Sequence, residues 1–349
     1  MSLSRDRIFS LLEKKIPDRL PCLELLISKQ VIGKIHPGMD YNQFCVAEEL
    51  DFIFVKRDFD ITWMDKENGI YKNDWGVIRK VGPEETDDYL SGPIQNMEDL
   101  KRFNIPDPLS PKNFRTLSSV VKKYKKDKFI VFLSKGTFNF PWALIGNFQK
   151  YLTELYLNPD FIMSLHKMVE EHHIELNKKA LGIGADAIAL VDDYAYREKM
   201  FISREKFQQF CLPSIQRTCE IVHNRGGHVF FHSDGNLNEV IDLVIDSGID
   251  FLHPIEPGAM VIKDIYNKYS DRVIICGNVN CARTLTFGTT DDVKKEVFWL
   301  LENIAPRGRY IISSSNTIHS KVKPENFIVY LETVKKYGKY PINLSTFQK

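Results

Sequence analysis

The chain has 349 residues, 43% of them hydrophobic, 12% aromatic and 27% charged, with 47 Lys+Arg against 46 Asp+Glu and a formal net charge of +1. That composition excludes a disordered chain, which would be poor in aromatic and branched residues. The charge balance removes the basic face that general nucleic-acid binding needs. The six cysteines include no C-x-x-C pair, so they read as reduced thiols of a cytoplasmic protein rather than a disulfide or zinc-ribbon framework. The N-terminus, MSLSRDRIFSLLEKK, is charged and amphipathic, with no signal-peptide run. No segment approaches the length of a membrane span.

In chain order, short apolar runs alternate with helix-periodic segments. The runs are RLPCLELL (19–26), DFIFVKRDF (51–59), KFIVFLSKGTF (128–138), DAIALVDDY (186–194), GHVFFHSDGN (227–236), GIDFLHPIEP (248–257), RVIICGNVN (272–280) and RYIISSSNT (309–317). Continuous apolar runs are the mark of parallel strands buried on both faces. Between them, Asn158-Pro159-Asp160 opens a helix that runs to Gly182. Further helices are expected from Ser203 to Arg225, from Asn236 to Asp246 and from Thr290 to Asn303. Glycine precedes the strand entries at Ala185-Asp186-Ala187 and Ile249-Asp250-Phe251, the repeated turn of a βα array.

Eight such units predict an α/β fold of the (β/α)8, or TIM barrel, type in a single domain over 1–349. The rival, a doubly wound sheet with an appended domain, lacks its glycine-rich nucleotide loop. Residues 60–127 interrupt the alternation. Turn signals at Glu67-Asn68-Gly69 and Lys72-Asn73-Asp74 predict a β-hairpin or meander inserted after the second run.

In a barrel of this kind the active site lies at the C-terminal ends of the strands. The polar residues falling there are Glu24, Arg57 with Asp58, Lys135, Asp192 with Asp193 and Tyr194, His232 with Asp234, His253 with Glu256, Asn278 with Asn280, and Ser314 with Asn316. His232 and Asp234 stand at i and i+2, and residues so spaced on a strand point the same way. They can share one metal ion or one proton, or form a hydrogen bond that locks a turn. A catalytic zinc usually takes three protein ligands, so Asp192, Asp193 or Glu256 would supply the third. Successive residues point to opposite faces, so only one of Asp192 and Asp193 is expected to enter the barrel mouth. Arg57 and Lys135 are suited to an anionic substrate or to structural ion pairs. Tyr194, His253, Asn278, Asn280 and Ser314 are candidates for substrate contact.

FFHSDGNLNEVIDLVIDSGIDFLHPIEP, VIICGNVN, IISSSNTIHSKVKPENF, DDYAYREKMFISREKFQQFCLP and DWGVIRK together resemble the uroporphyrinogen decarboxylase superfamily over nearly the whole chain. The resemblance implies a (β/α)8 barrel and one of two activities. One is cofactor-free decarboxylation of a porphyrinogen. The other is zinc-dependent methyl transfer working with a corrinoid protein. The chain departs from both patterns. Where decarboxylases carry an R-Q-A-G-R-Y type segment, residues 26–38 read LISKQVIGKIHPG, without arginine. Thiol-methylating members carry H-x-C and a later Cys; the matching positions here are His232, Asp234 and Asn316.

The expectation is therefore a metal-assisted methyltransferase. Zinc would sit at His232 and Asp234, with Asp192 or Asp193 completing the site, Asn278, Asn280, Ser314 and Asn316 positioning substrate, and a corrinoid carried by a partner protein. The alternative is a decarboxylase of a uroporphyrinogen-like or smaller acid. In it Asp58 or Asp192 stabilises a protonated ring, and Arg57 and Lys135 hold carboxylates. A third reading is a ligand-binding barrel without catalysis. No nucleic-acid or membrane partner is expected, and the patterns admit a homodimer.

Overall fold

The structure is a computed structural model that describes residues 3–82, 84 and 86–343. Its strands, in chain order, are β1 (Phe52–Lys56), β2 (Ile61–Asp65), β3 (Ile70–Asn73), β4 (Ile78–Lys80), β5 (Asp88–Ser91), β6 (Phe129–Ser134), β7 (Ala187–Val191), β8 (His228–His232), β9 (Phe251–His253), β10 (Ile274–Cys276) and β11 (Tyr310–Ile311). Seven form one sheet in the order β1-β6-β7-β8-β9-β10-β11, every pair parallel. Helices separate these strands in sequence. Seven of the eight expected runs are thus strands of a curled parallel sheet.

The first run behaves differently. Cys22 makes only an isolated parallel bridge to Ile312. Leu23 N donates to Ile312 O, Ile312 N donates to Pro21 O, and Asp51 N donates to Cys22 O. The segment therefore touches β11 on one side and the start of β1 on the other. It does not build a ladder because Pro21 has no N–H to give and Cys22 N is taken by the Asp51 carboxylate at 2.8 Å.

Both faces of the parallel sheet are buried. Phe52, Phe54, Phe129, Val131, Ala187, Ala189, Phe230, Phe251, Ile274, Cys276 and Ile311 pack together on the inner face, where Ile8 and Leu11 of helix Ser4–Leu12 join them. The alternate residues Ile53, Ile130, Phe132, Ile188, Val229, Phe231 and Ile275 pack outward beneath the helices. This two-residue alternation explains why the strands read as unbroken apolar runs.

Helix Pro159–Ile183 and helix Thr290–Asn303 agree closely with expectation. The helix expected from Ser203 is two, Arg204–Phe210 and Leu212–His223, meeting at Cys211 just before Pro213. The helix expected from Asn236 begins only at Ile241. There Asn236 Oδ1 takes the N–H of Asn238, a local turn that competes with the helix.

The insertion is a four-stranded antiparallel sheet in the order β2-β3-β4-β5. Gly69 and Gly76 close its first two turns with φ of +69° and +76°, a conformation that favours glycine. Asn73 Oδ1 accepts from the N–H groups of Trp75 and Val77. Arg57, just past β1, reaches Asp74 of this turn at 2.6 Å, which ties the inserted sheet to the end of the parallel one.

Candidate active site at the strand ends

Strand alternation sorts the polar residues before any contact is considered. Val191 packs toward the inner face, and so Asp193 continues its column. Phe230 leads to His232, and Phe251 leads to His253. His232 and His253 are in register, with Nδ1 of one 2.8 Å from Nδ1 of the other. Both are buried, and burial pushes both imidazoles down, so both are neutral near pH 7. One must donate and the other accept. When His232 donates through Nδ1, its Nε2 lone pair faces carboxylate oxygens, 3.7 Å from Asp193 Oδ1 and 3.8 Å from Asp234 Oδ1.

Asp193, His232 and Asp234 each offer one donor atom within 4.8 Å of the others. Asp234 is held by its neighbours on one side only. Its Oδ2 accepts from Asn316 Nδ2 at 2.8 Å, and its backbone N–H donates to Asp193 Oδ1 at 3.1 Å. Its Oδ1 is buried and accepts no hydrogen bond among the described residues. Burial raises the Asp234 carboxyl above the ordinary range, and the negative charges of Asp193 and Glu256 add to this. Two carboxylates facing a neutral imidazole nitrogen, one with a bare buried oxygen, form an arrangement that a cation or a proton completes. The chemistry of the donors therefore fits a metal ion, one nitrogen and two oxygens making a harder set than thiolates.

Around this cluster lie Glu256, whose Oε2 takes the N–H of Gly235 at 2.9 Å, and Lys135. Lys135 continues the inner column of β6 and acts electrostatically on His232 and Asp192. Its ammonium group makes no hydrogen bond or ion pair among the described residues.

Other expected residues are bound into the framework. Asp192 is fully buried and accepts from the N–H groups of Gly136, Phe138 and Asn139 and from Tyr194 Oη, all between 2.9 and 3.1 Å. Its carboxyl is pushed up to about 6 by burial, against those bonds. Tyr194 is buried through its ring, and its N–H donates to Ser233 Oγ. Arg57 is held by Asp74 and Asn113. Asp58 takes the N–H and hydroxyl of Thr116 at the start of helix Arg115–Tyr124. Asn278 donates to Ile255 O. Asn280 accepts from Arg283 N, and its own N–H goes to Glu296. Ser314 joins Glu24, and Asn316 joins Asp234.

Over residues 76–337 the sequence matches the family profile described as Uroporphyrinogen decarboxylase (URO-D). The chain belongs to this family. No curated protein matches it in sequence. Among solved structures, a methyltransferase from Methanosarcina mazei is similar in fold, with TM-score 0.76 and 16% identity over 97% of this chain and 99% of that one. A B12-independent methionine synthase from Shewanella sp. W3-18-1 has TM-score 0.48 and 12% identity over 84% and 85%. At 16% identity the likeness to the methyltransferase concerns the fold.

Of three further residues near the cluster, the sequence places Glu24 at a strand end without giving it a role, and it does not single out Cys281 and His319. Glu24 is buried, takes the N–H of Ser314 at 2.9 Å and contacts its hydroxyl. Burial pushes its carboxyl up to about 7. Ser314 Oγ is also 2.6 Å from Asn316 O. One hydroxyl has one proton, so both contacts are satisfied when Glu24 is protonated and donates to Ser314. Glu24 thereby steadies the segment that presents Asn316 to Asp234. His319 and Cys281 line a cavity of about 120 Å³ beside them. Glu24 stood out as a lone acid in an apolar run; nothing in the local pattern marked the other two.

Proposed function

We propose that the chain is a metal-assisted methyltransferase that moves a methyl group between a corrinoid-carrying protein and a nucleophilic acceptor. The observation that supports this most is the Asp193–His232–Asp234 cluster with the bare buried Oδ1 of Asp234. Asp193, His232 and Asp234 would hold the ion, with zinc the first to try. Such an ion supplies Lewis-acid activation of the nucleophilic atom that takes the methyl group. The chain's own residues orient and shield. His253 fixes the His232 ring through Nδ1. Asn316 fixes Asp234, and Glu256 fixes the turn at Gly235. Lys135 is placed to hold an anionic group at the mouth. The same proposal reads the chain as one domain with 60–127 inserted, and the parallel sheet as a (β/α)8 barrel with residues 21–23 in the eighth position.

Cofactor-free decarboxylation is the second reading, and Lys135 is the observation in its favour. A polycarboxylate needs several cations, and Arg57 is already committed to Asp74 and Asn113. That leaves room for a small acid only.

The test is metal content by mass spectrometry after zinc loading, on wild type and on His232→Ala combined with Asp234→Ala. Near-stoichiometric metal in the wild type, lost in the double variant, is expected. Metal-loaded protein should then change the visible spectrum of a methylated corrinoid in the presence of an acceptor. No metal in the wild type after loading overturns the proposal and transfers the weight to decarboxylation.

A further inference from the structure

The cavity of about 120 Å³ next to the cluster is lined by Glu256, Pro257, Asn280, Cys281, Ala282, Ser315, Asn316 and His319. It opens from the loops after β9, β10 and β11. One of its lining residues touches the cluster, Asn316 on Asp234 Oδ2, and Glu256 binds the N–H of Gly235, the residue that follows Asp234. The cavity is therefore joined to the cluster at Asp234 through Asn316. Its volume equals about four waters, room for a molecule of a few non-hydrogen atoms.

The lining has a definite charge. It contains one carboxylate and no lysine or arginine. Asp234 lies beyond Asn316, which binds it. Lys135, which follows β6 and acts on His232 and Asp192, is not part of the lining. Arg197 packs against Gly258, outside the lining. A divalent ion on Asp193 and Asp234 would offset their two charges and leave Glu256 unmatched. An anionic ligand here would meet the Glu256 carboxylate with no lysine or arginine in the wall to offset it, and that is costly in a partly buried site.

We infer that this cavity binds a small organic cation, an amine in its ammonium form or a methylated ammonium, with Glu256 as its counter-ion and Asn280, Ser315 and Asn316 as polar neighbours. The inference names the substrate class of the site proposed above and rests on that reading for its link to methyl transfer. It concerns binding, and either direction of transfer leaves it intact.

The test is calorimetric or ligand-observed NMR titration with methylammonium through tetramethylammonium, and with methanesulfonate as the anion of similar size. Both zinc-loaded and metal-free protein are used. At least one ammonium is expected to bind at least tenfold tighter than methanesulfonate. Glu256→Gln, whose amide oxygen still accepts from Gly235, is expected to weaken that ammonium tenfold or more. Asn280→Asp keeps the acceptor for Arg283 N and adds a charge to the wall, so it is expected to tighten binding severalfold. It also preserves the test if Glu256→Gln fails to fold. Equal or tighter binding of methanesulfonate, or ammonium affinity unmoved by both substitutions, overturns the inference. Ammonium binding that depends on Glu256 in a protein that takes no zinc upholds it while the metal reading fails. Zinc binding without ammonium binding does the reverse.

Discussion

Asp192 and Asp193 are adjacent in sequence and meet opposite surroundings. Asp192 turns outward from the β7 column into the loop after β6, where three N–H groups and a phenol surround it and no water reaches it. Asp193 continues the inner column, half-exposed, accepts among the described residues only the backbone N–H of Asp234 at 3.1 Å, and faces the His232 ring across 3.7 Å, too long for a hydrogen bond. The same contrast runs around the whole rim. Arg57, Asp58, Asn278 and Ser314 have their bonding capacity used by the framework. His232, Asp234 and Lys135 retain unmet capacity. A polar residue at a strand end is thus not evidence of chemistry by itself. What distinguishes the two groups is whether the fold has already satisfied them.

The largest expected effect tests the framework side. Asp192→Ala removes four hydrogen bonds to a buried carboxylate and leaves three buried N–H groups without an acceptor. Charge-assisted bonds and buried unpaired donors together put the loss at about 3–5 kcal/mol. Urea denaturation should show it as a lowered midpoint with little change of slope. A loss near zero would mean that the loop after β6 does not depend on Asp192, and the contrast with Asp193 would dissolve.

Glu24 comes next and is read through pH. Its carboxyl is pushed from 4.5 up to about 7 by burial, so the folded chain holds this proton more tightly than the unfolded one. The stability it contributes is present below about pH 4.5 and is lost as pH rises through about 7. The size is about 3 kcal/mol at most. Asp192 acts in the same direction, so the informative quantity is the difference between variant and wild type. Glu24→Gln stays neutral throughout. Its stability relative to wild type should therefore grow between pH 5 and pH 8 in denaturant titrations. A difference that is constant with pH would show that Glu24 does not carry this proton.

Much of this sorting was legible in the sequence. The runs from 51 to 317 located seven strands, and the Asn-Gly and Asn-Asp turns located the inserted sheet. Alternation also foretold that only one of Asp192 and Asp193 faces inward, and the same parity places Lys135, His232 and His253 inward. Three things were not legible. Pro21 and the Asp51 carboxylate deny the first run a ladder, and the second of these is a contact between distant residues. The commitment of Arg57 to Asp74 depends on how the inserted sheet folds back. The cavity wall at Cys281 and His319 is assembled from loops with no spacing in common. Local pattern gives direction along a strand, but not which distant group will arrive to meet a side chain.

The Arg57–Asp74 pair sharpens the comparison at the join between the two sheets. Arg57 is buried, stacks over Phe59 and forks between Asp74 and Asn113. Arg57→Lys keeps the charge and loses the fork. A cost of about 1–2 kcal/mol is expected, with the metal content of the protein unchanged. A loss of metal together with a small stability change would instead assign Arg57 to the site.

The smallest expected effect on stability falls on Asp193. Asp193→Ala removes one acceptor, the partner of Asp234 N at 3.1 Å, and water can replace it because Asp193 is half-exposed. It also removes a negative charge that raises the Asp234 carboxyl, which offsets part of the lost bond. The net change should be within about 1 kcal/mol. Metal affinity should fall at least tenfold in the same variant, because one of three donors is gone. The two readings together decide whether Asp193 belongs with the unmet group. A stability loss comparable to that of Asp192→Ala, with metal retention, would place both aspartates in the framework. The proposed site would then be reduced to His232 and Asp234, too few for an ion held by the protein alone.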